Sequence, residues 1–228
     1  LGSPGKVNSV HQSAPLPQVD DLMHHPAVPR SSETVRVTAR VSSVNPLQQV
    51  VIVHRADSGN GGGAWSAKPM YDDGKRGGDE IAGDGMYTGQ LTEHRTNGRV
   101  VQFYVGAVSQ DGGISEFPKS GEQRPALYVV DNPEAGGDLR RVRFVVSQLD
   151  LDAISDRDNS STVYGYRYPR LSNHYFNATY IGDEENVVYN CEIRNSGSPW
   201  TRGTNLNRGK FKFPKDRLFR GHEKLSYD

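Results

Sequence analysis

The stretch "EIRNSGSPWTRGTNLNRGKFKFPKD" at residues 192–216 gathers residue types that bind phosphate. In "GKFKF" side chains alternate along an extended strand, so Phe211 and Phe213 share one face and Lys210 and Lys212 the other. The phenylalanines require a core, and the lysines then project together toward whatever lies opposite. A nucleotide triphosphate is held by one such lysine and by a glycine-bearing loop whose backbone N–H groups meet the phosphate oxygens. Here "RNSGSPW" supplies that loop, with Ser198 inside it. Arg194, at the end of the preceding strand, adds a second cation able to grip phosphate through two N–H groups. Arg194, Ser198, Lys210 and Lys212 are therefore the candidate nucleotide-binding residues. The same pattern also has a structural explanation, because lysines on an edge strand discourage edge-to-edge pairing between molecules.

A second constellation is acidic. "YDDGKRGGDEIAGDGMYT" brings Asp72, Asp73, Asp79, Glu80 and Asp84 close in sequence, a supply of hard oxygen ligands that suits Ca²⁺. Asp72, Asp73, Asp79 and Asp84 are the candidate metal ligands, although the spacing is not that of an EF-hand loop. Asp-Gly pairs are equally strong turn signals, since Gly tolerates positive φ and Asp bonds its own backbone, and turns are the favoured reading.

Other reactive types are sparse. His24 and His25 are adjacent, so on a strand they point to opposite faces and are expected to be structural. Cys191 is the only cysteine, which excludes an intrachain disulfide and a cysteine-based zinc site; within an apparent strand it reads as a small core hydrophobe. Asn159-Ser160-Ser161 and Asn177-Ala178-Thr179 match the glycosylation acceptor pattern. Trp65, Tyr71 and Tyr87 would have to be exposed on one face to form a carbohydrate platform, and in short strands they are more often core.

The elements that must position these groups are mostly strands. Lys plus Arg equals Asp plus Glu, so there is no general pull toward nucleic acid or an anionic membrane, and no apolar run is long enough to span a bilayer. Residues 1–16 read as a linker, and 17–29 as an extended lead-in punctuated by prolines. "ETVRVTARVSSV" alternates, with Val35, Val37, Ala39 and Val41 on one face. "QQVVIVHRAD", "AWSAKPMYDDG", "GDGMYTGQL", "RVVQFYVGAVSQDGG" and "PALYVVD" follow as short strands at regular spacing, which predicts a β-sandwich over 17–131 that closes on its own core. A linker is expected at 132–137. Beyond it, "LRRVRFVVS" is a strand, "QLDLDAISDRD" a short helix or turn, and "HYFNATYIG" with "NVVYNCEIRNSG" a hairpin across "DEE".

Two resemblances attach to these segments. Residues 17–131 resemble the immunoglobulin- or fibronectin-III-like modules of large bacterial secreted proteins, on "HHPAVPRSSETVRVTARVS", "MYDDGKRGGDEIAGDGMYTG" and "VVQFYVGAVSQDGGISEFP". Residues 138–228 resemble the opening of a spore-coat protein H (CotH) kinase-like domain, on "CEIRNSGSPW", "GKFKFPKD" and "FRGHEKL". Together they imply a mainly β chain: an immunoglobulin-like β-sandwich followed by an incomplete α+β kinase-like N-terminal lobe. The second resemblance implies ATP and a divalent metal, Mg²⁺, as cofactors of a complete parent protein, and an extracellular or cell-surface setting. It also implies a protein phosphoacceptor and neighbouring domains of a larger chain as partners. The family's catalytic and metal-binding acids are expected further along than Asp228, so turnover is not expected from this stretch. The rival expectation is a non-enzymatic adhesive or spacer module.

Overall fold

The structure is a computed structural model, and it describes residues 15–59, 62–132, 142–155, 173–197, 206 and 208–227. These residues are mainly β: three antiparallel sheets and a single α-helix. The first sheet runs β1-β2-β5, formed by β1 (Gln18–His25), β2 (Val35–Ser42) and β5 (Met86–Leu91). The second centres on β3 (Leu47–Ala56) and β6 (Val100–Ser109), with β4 (Ser66–Pro69) on the outer edge of β3. The other edge of β6 is shared. Its first half pairs β8 (Ala126–Val129) and its second half pairs β7 (Ile114–Phe117). The segment expected to be a mere lead-in is thus largely a strand, β1. Alternation is obscured there by a bulge between Asp20 and Met23, where Asp21 takes φ 48°.

The inner faces of these two sheets carry the core that alternation predicts. Val35, Val37, Ala39 and Val41 meet Val101, Phe103, Val105 and Ala107, all buried. The third sheet runs β13-β12-β11-β10-β9, from β9 (Val142–Val145), β10 (Phe176–Gly182), β11 (Asn186–Asn195), β12 (Gly209–Lys212) and β13 (Lys224–Tyr227). The expected hairpin across "DEE" joins β10 to β11, and the expected short helix is α1 (Gln148–Ser155). Its N-terminus is tied down twice. The Asp150 N–H donates to the Ser147 hydroxyl (3.1 Å), and the Gln148 N–H donates to the Asp57 carboxylate (2.6 Å), reached from the far end of β3.

The apolar core of the sandwich continues into the third sheet. Val145, Ile181, Val187 and Tyr189, all from the third sheet, belong to the same continuous apolar cluster as Phe103 and Tyr128. Tyr189 packs edge-on against Phe103 at 5.8 Å, and its hydroxyl donates to Nδ1 of buried His24, whose Nε2–H donates to the Ala27 carbonyl (3.0 Å). Burial lowers the His24 pKa to about 4, so the ring is neutral and this acceptor–donor arrangement is its stable tautomer. The seam is extended by polar contacts along the edge of β8 that β6 leaves free. The Leu127 N–H donates to Thr179 Oγ1 (3.0 Å), and Asn177 Nδ2 donates to the Pro125 carbonyl (2.8 Å). Side chains of β10 therefore satisfy an edge that would otherwise be open.

The third sheet can face two cores because β11 is bulged. Its register with β10 slips between Cys191 and Val188, with Asn190 at φ 55°. An inserted residue inverts side-chain parity. Val187 and Tyr189 consequently enter the sandwich core, while Cys191 and Ile193 enter a second cluster with Phe176, Tyr180, Phe211, Phe213 and Ala153 of α1.

Candidate functional site

On the far half of β11 the face that had entered the sandwich emerges from the seam, and it turns polar. Ile193 pairs with Phe211 on the buried side. On the opposite side two cross-strand rows form. Glu192 lies opposite Lys212, which lies opposite Lys224; Arg194 lies opposite Lys210, which lies opposite Ser226. The face assignment expected from "GKFKF" holds: Phe211 and Phe213 are buried, Lys212 is half-buried and Lys210 exposed. Gly209 is fitted to this packing, since a Cβ there would stand 2.3 Å from the Tyr227 hydroxyl.

The side chains converge on one ring. The Lys212 ammonium lies 3.9 Å from the centroid of Tyr175 and the Arg194 guanidinium 5.1 Å. Lys212 Nζ also pairs with Glu192 Oε2 (3.2 Å), whose other oxygen meets Arg124 Nη1 (3.2 Å) from the sandwich rim. Arg194 donates to the Asn195 carbonyl (3.2 Å), yet its Nε–H is buried without a hydrogen-bond partner. Three of the four expected phosphate residues, Arg194, Lys210 and Lys212, are thus brought onto one face. Ser198 lies outside the described residues.

β12 is not an edge strand. It is flanked by β11 and β13 along its whole length, so its lysines are not guarding an open edge. They also oppose like charges, Arg194 and Lys224, an arrangement that costs a sheet stability. Cations on this face, Arg124, Arg194, Lys210, Lys212 and Lys224, are set against the carboxylate of Glu192. Arg124, Tyr175 and Glu192 escaped the sequence reading. Arg124 is remote in sequence, Tyr175 precedes the strand, and Glu192 looked like one more polar position in an alternating run.

The acidic loop is built differently. Asp72 accepts N–H groups from Gly83 (2.7 Å), Asp84 (3.2 Å) and Gly85 (3.0 Å). Asp73 accepts from Lys75 (3.0 Å) and Arg76 (2.8 Å), Asp79 from Gly74 (2.5 Å), and Asp84 from Met86 (2.8 Å). The Arg76 N–H and guanidinium hold the Asp73 carboxyl below the ordinary carboxylate range. Glu80 pairs with Arg36. Each of the four aspartates is engaged by backbone N–H groups of the loop, and among the described residues no group of three or more His, Cys, Asp or Glu side chains is placed to hold a metal ion.

The remaining candidates are engaged elsewhere. Trp65 has the Arg55 guanidinium 4.2 Å from its ring centre and Tyr104 at its edge; Tyr71 is covered by Arg76; Tyr87 packs on the sandwich core. Asn177 is buried against Pro125, so that glycosylation pattern is inaccessible, and Asn159 lies outside the described residues. Cys191 is fully buried and its thiol is pushed up to about 12, which makes it inert as a nucleophile. His24 is buried and His25 exposed, as alternation requires. Among the described residues no helix is long and apolar enough to cross a membrane. No protein-family model matches the chain, and no curated protein matches it.

Proposed function

We propose that this chain carries the phosphate-gripping part of an ATP-using, CotH-type kinase-like protein acting at the cell surface or outside the cell. The observation that carries the reading is the placement of Lys210 and Lys212 on an interior strand, opposite other cations. Like charge that the single carboxylate of Glu192 only partly relieves, with a buried guanidinium N–H left without a partner, is what an incoming anion compensates. In this reading Lys212 and Arg194 meet phosphate oxygens, Tyr175 orients both cations, and Glu192 holds the ammonium in place. Lys210 and Lys224 widen the positive field. Bound ATP would supply the transferable phosphoryl group; the described residues supply charge and N–H donors.

The face is open, so each charge pair gains about 1 kcal/mol. Four such contacts give about 4 kcal/mol, a Kd of about 1 mM. A phosphorus NMR titration of the full chain with ATP and with tripolyphosphate should show binding in that range. Lys212→Ala and Arg194→Ala should each weaken it severalfold, without loss of fold. Equal binding by Lys212→Ala would overturn the reading and leave the non-enzymatic spacer as the better account.

A further inference from the structure

We infer that Arg124, carried by the rim of the sandwich, is a positioning residue for Lys212, and that the first unit thereby becomes part of the phosphate grip. The inference rests on the phosphate reading above, but its central measurement does not require any anion to bind.

Arg124 follows the 3-10 turn Gly121–Gln123 and precedes β8. The chain just after it is bolted to the third sheet at two points, the Pro125 carbonyl by Asn177 and the Leu127 N–H by Thr179. The guanidinium therefore starts from a fixed base. It reaches Oε1 of Glu192 while Lys212 reaches Oε2, both at 3.2 Å, so one carboxylate bridges a cation from each unit. All three side chains are between a quarter and two-fifths exposed, at 36%, 29% and 27% for Arg124, Glu192 and Lys212, so water weakens both pairs without abolishing them.

A carboxylate shared between two cations neutralises neither. With Arg124 present, Lys212 keeps positive charge available to an incoming anion. Without Arg124, Glu192 has Lys212 alone and the ammonium is held more closely. Arg124 then acts through Glu192, which separates positioning from a plain contribution to the field.

The experiment is a double-mutant cycle on the full chain with Arg124→Gln, Glu192→Gln and both together. The first readout is the acetylation rate of the Lys212 amine with acetic anhydride, measured by peptide mass spectrometry. Arg124→Gln should slow it about threefold. Glu192→Gln should speed it, and adding Arg124→Gln to Glu192→Gln should change nothing. Arg124→Lys, which keeps the charge, should react close to wild type. The second readout is tripolyphosphate binding, which should weaken about threefold in Arg124→Gln, again only while Glu192 is present. Equal slowing in both backgrounds, or none in either, overturns the inference. Should Arg124→Gln not fold, Glu192→Gln still decides, because failure to speed Lys212 acetylation removes the link. If acetylation follows the cycle and wild type binds no tripolyphosphate, the positioning stands and the phosphate reading falls.

Discussion

The acidic loop at 72–84 and the cationic face of β11–β13 look equally rich in charge, and they use it in opposite ways. In the loop, Asp72 alone takes three backbone N–H groups, and the other aspartates take those of the chain beside them. In the sheet, cations oppose cations and Arg194 Nε has no partner. Charge satisfied by its own backbone shapes a turn. Charge left over on a rigid sheet is what the proposed phosphate grip draws on.

The largest effect should come from beneath the cationic face. Phe211 lies 4.5 Å from Phe144 and 5.1 Å from Phe213, ring centre to ring centre, and is fully buried. Phe211→Ala should cost about 3–5 kcal/mol in chemical denaturation, the usual range for emptying a core phenylalanine site. A loss under about 1 kcal/mol would mean that the face has no firm floor and that the contrast with the loop is misdrawn.

The seam beside that face should respond to acid. His24 titrates near 6.5 when unfolded and at about 4 when folded, so its contribution is complete above pH 6.5 and is lost as pH falls toward 4. The full loss is about 3 kcal/mol, at 1.36 kcal/mol per unit. Asp150 works against it in nearly the same window. Burial first, then the nearby Asp57, raise its pKa to about 6, so its contribution is present below 3.8 and is lost as pH rises through 6. Unfolding between pH 4 and 7 should therefore look flat in wild type and fall steeply toward acid in Asp150→Asn. Parallel profiles would show that the buried imidazole is not part of the seam's stability.

Next in size is the loop itself. Asp72→Ala strands three backbone donors close to water and should cost about 2 kcal/mol. Lys212→Ala, by contrast, breaks only a half-exposed pair and should cost less than about 1 kcal/mol while weakening polyphosphate binding. Stability without binding in one region, and binding without stability in the other, is the comparison at its sharpest.

Sequence periodicity reaches some of this and not the rest. The 3-10 turn and the shared edge of β6 leave no periodic trace, whereas β2, the longer strands and the Phe/Lys alternation in β12 are plain from period two alone. The bulge at Asn190 was not legible, because β11 reads as one unbroken alternation, yet that residue decides which side chains enter which core. For the same reason the continuity of the core into the third sheet leaves no trace in the sequence: Tyr189 reads as an ordinary inward residue of its own sheet. Lys210 and Lys212 were legible as a pair, whereas their status as interior depended on β13 pairing at Gly209–Lys212. Arg124 could come only from three-dimensional proximity.

The smallest expected effect is a null one, and it tests the loop's half of the comparison directly. A cation stabilises a fold only by binding the folded state more tightly than the unfolded one. Binding Ca²⁺ would require Asp72, Asp73, Asp79 and Asp84 to release their backbone N–H groups, or to offer remaining lone pairs from converging directions. The first choice strands the donors of Gly74, Gly83 and Gly85, and the second fails on geometry, since no three of these carboxylates are placed around a common point. Millimolar Ca²⁺ should therefore leave the melting temperature of the full chain unchanged. A rise of several degrees that disappears in Asp73→Ala would show that the loop keeps carboxylate charge in reserve, and the distinction between the two regions would collapse.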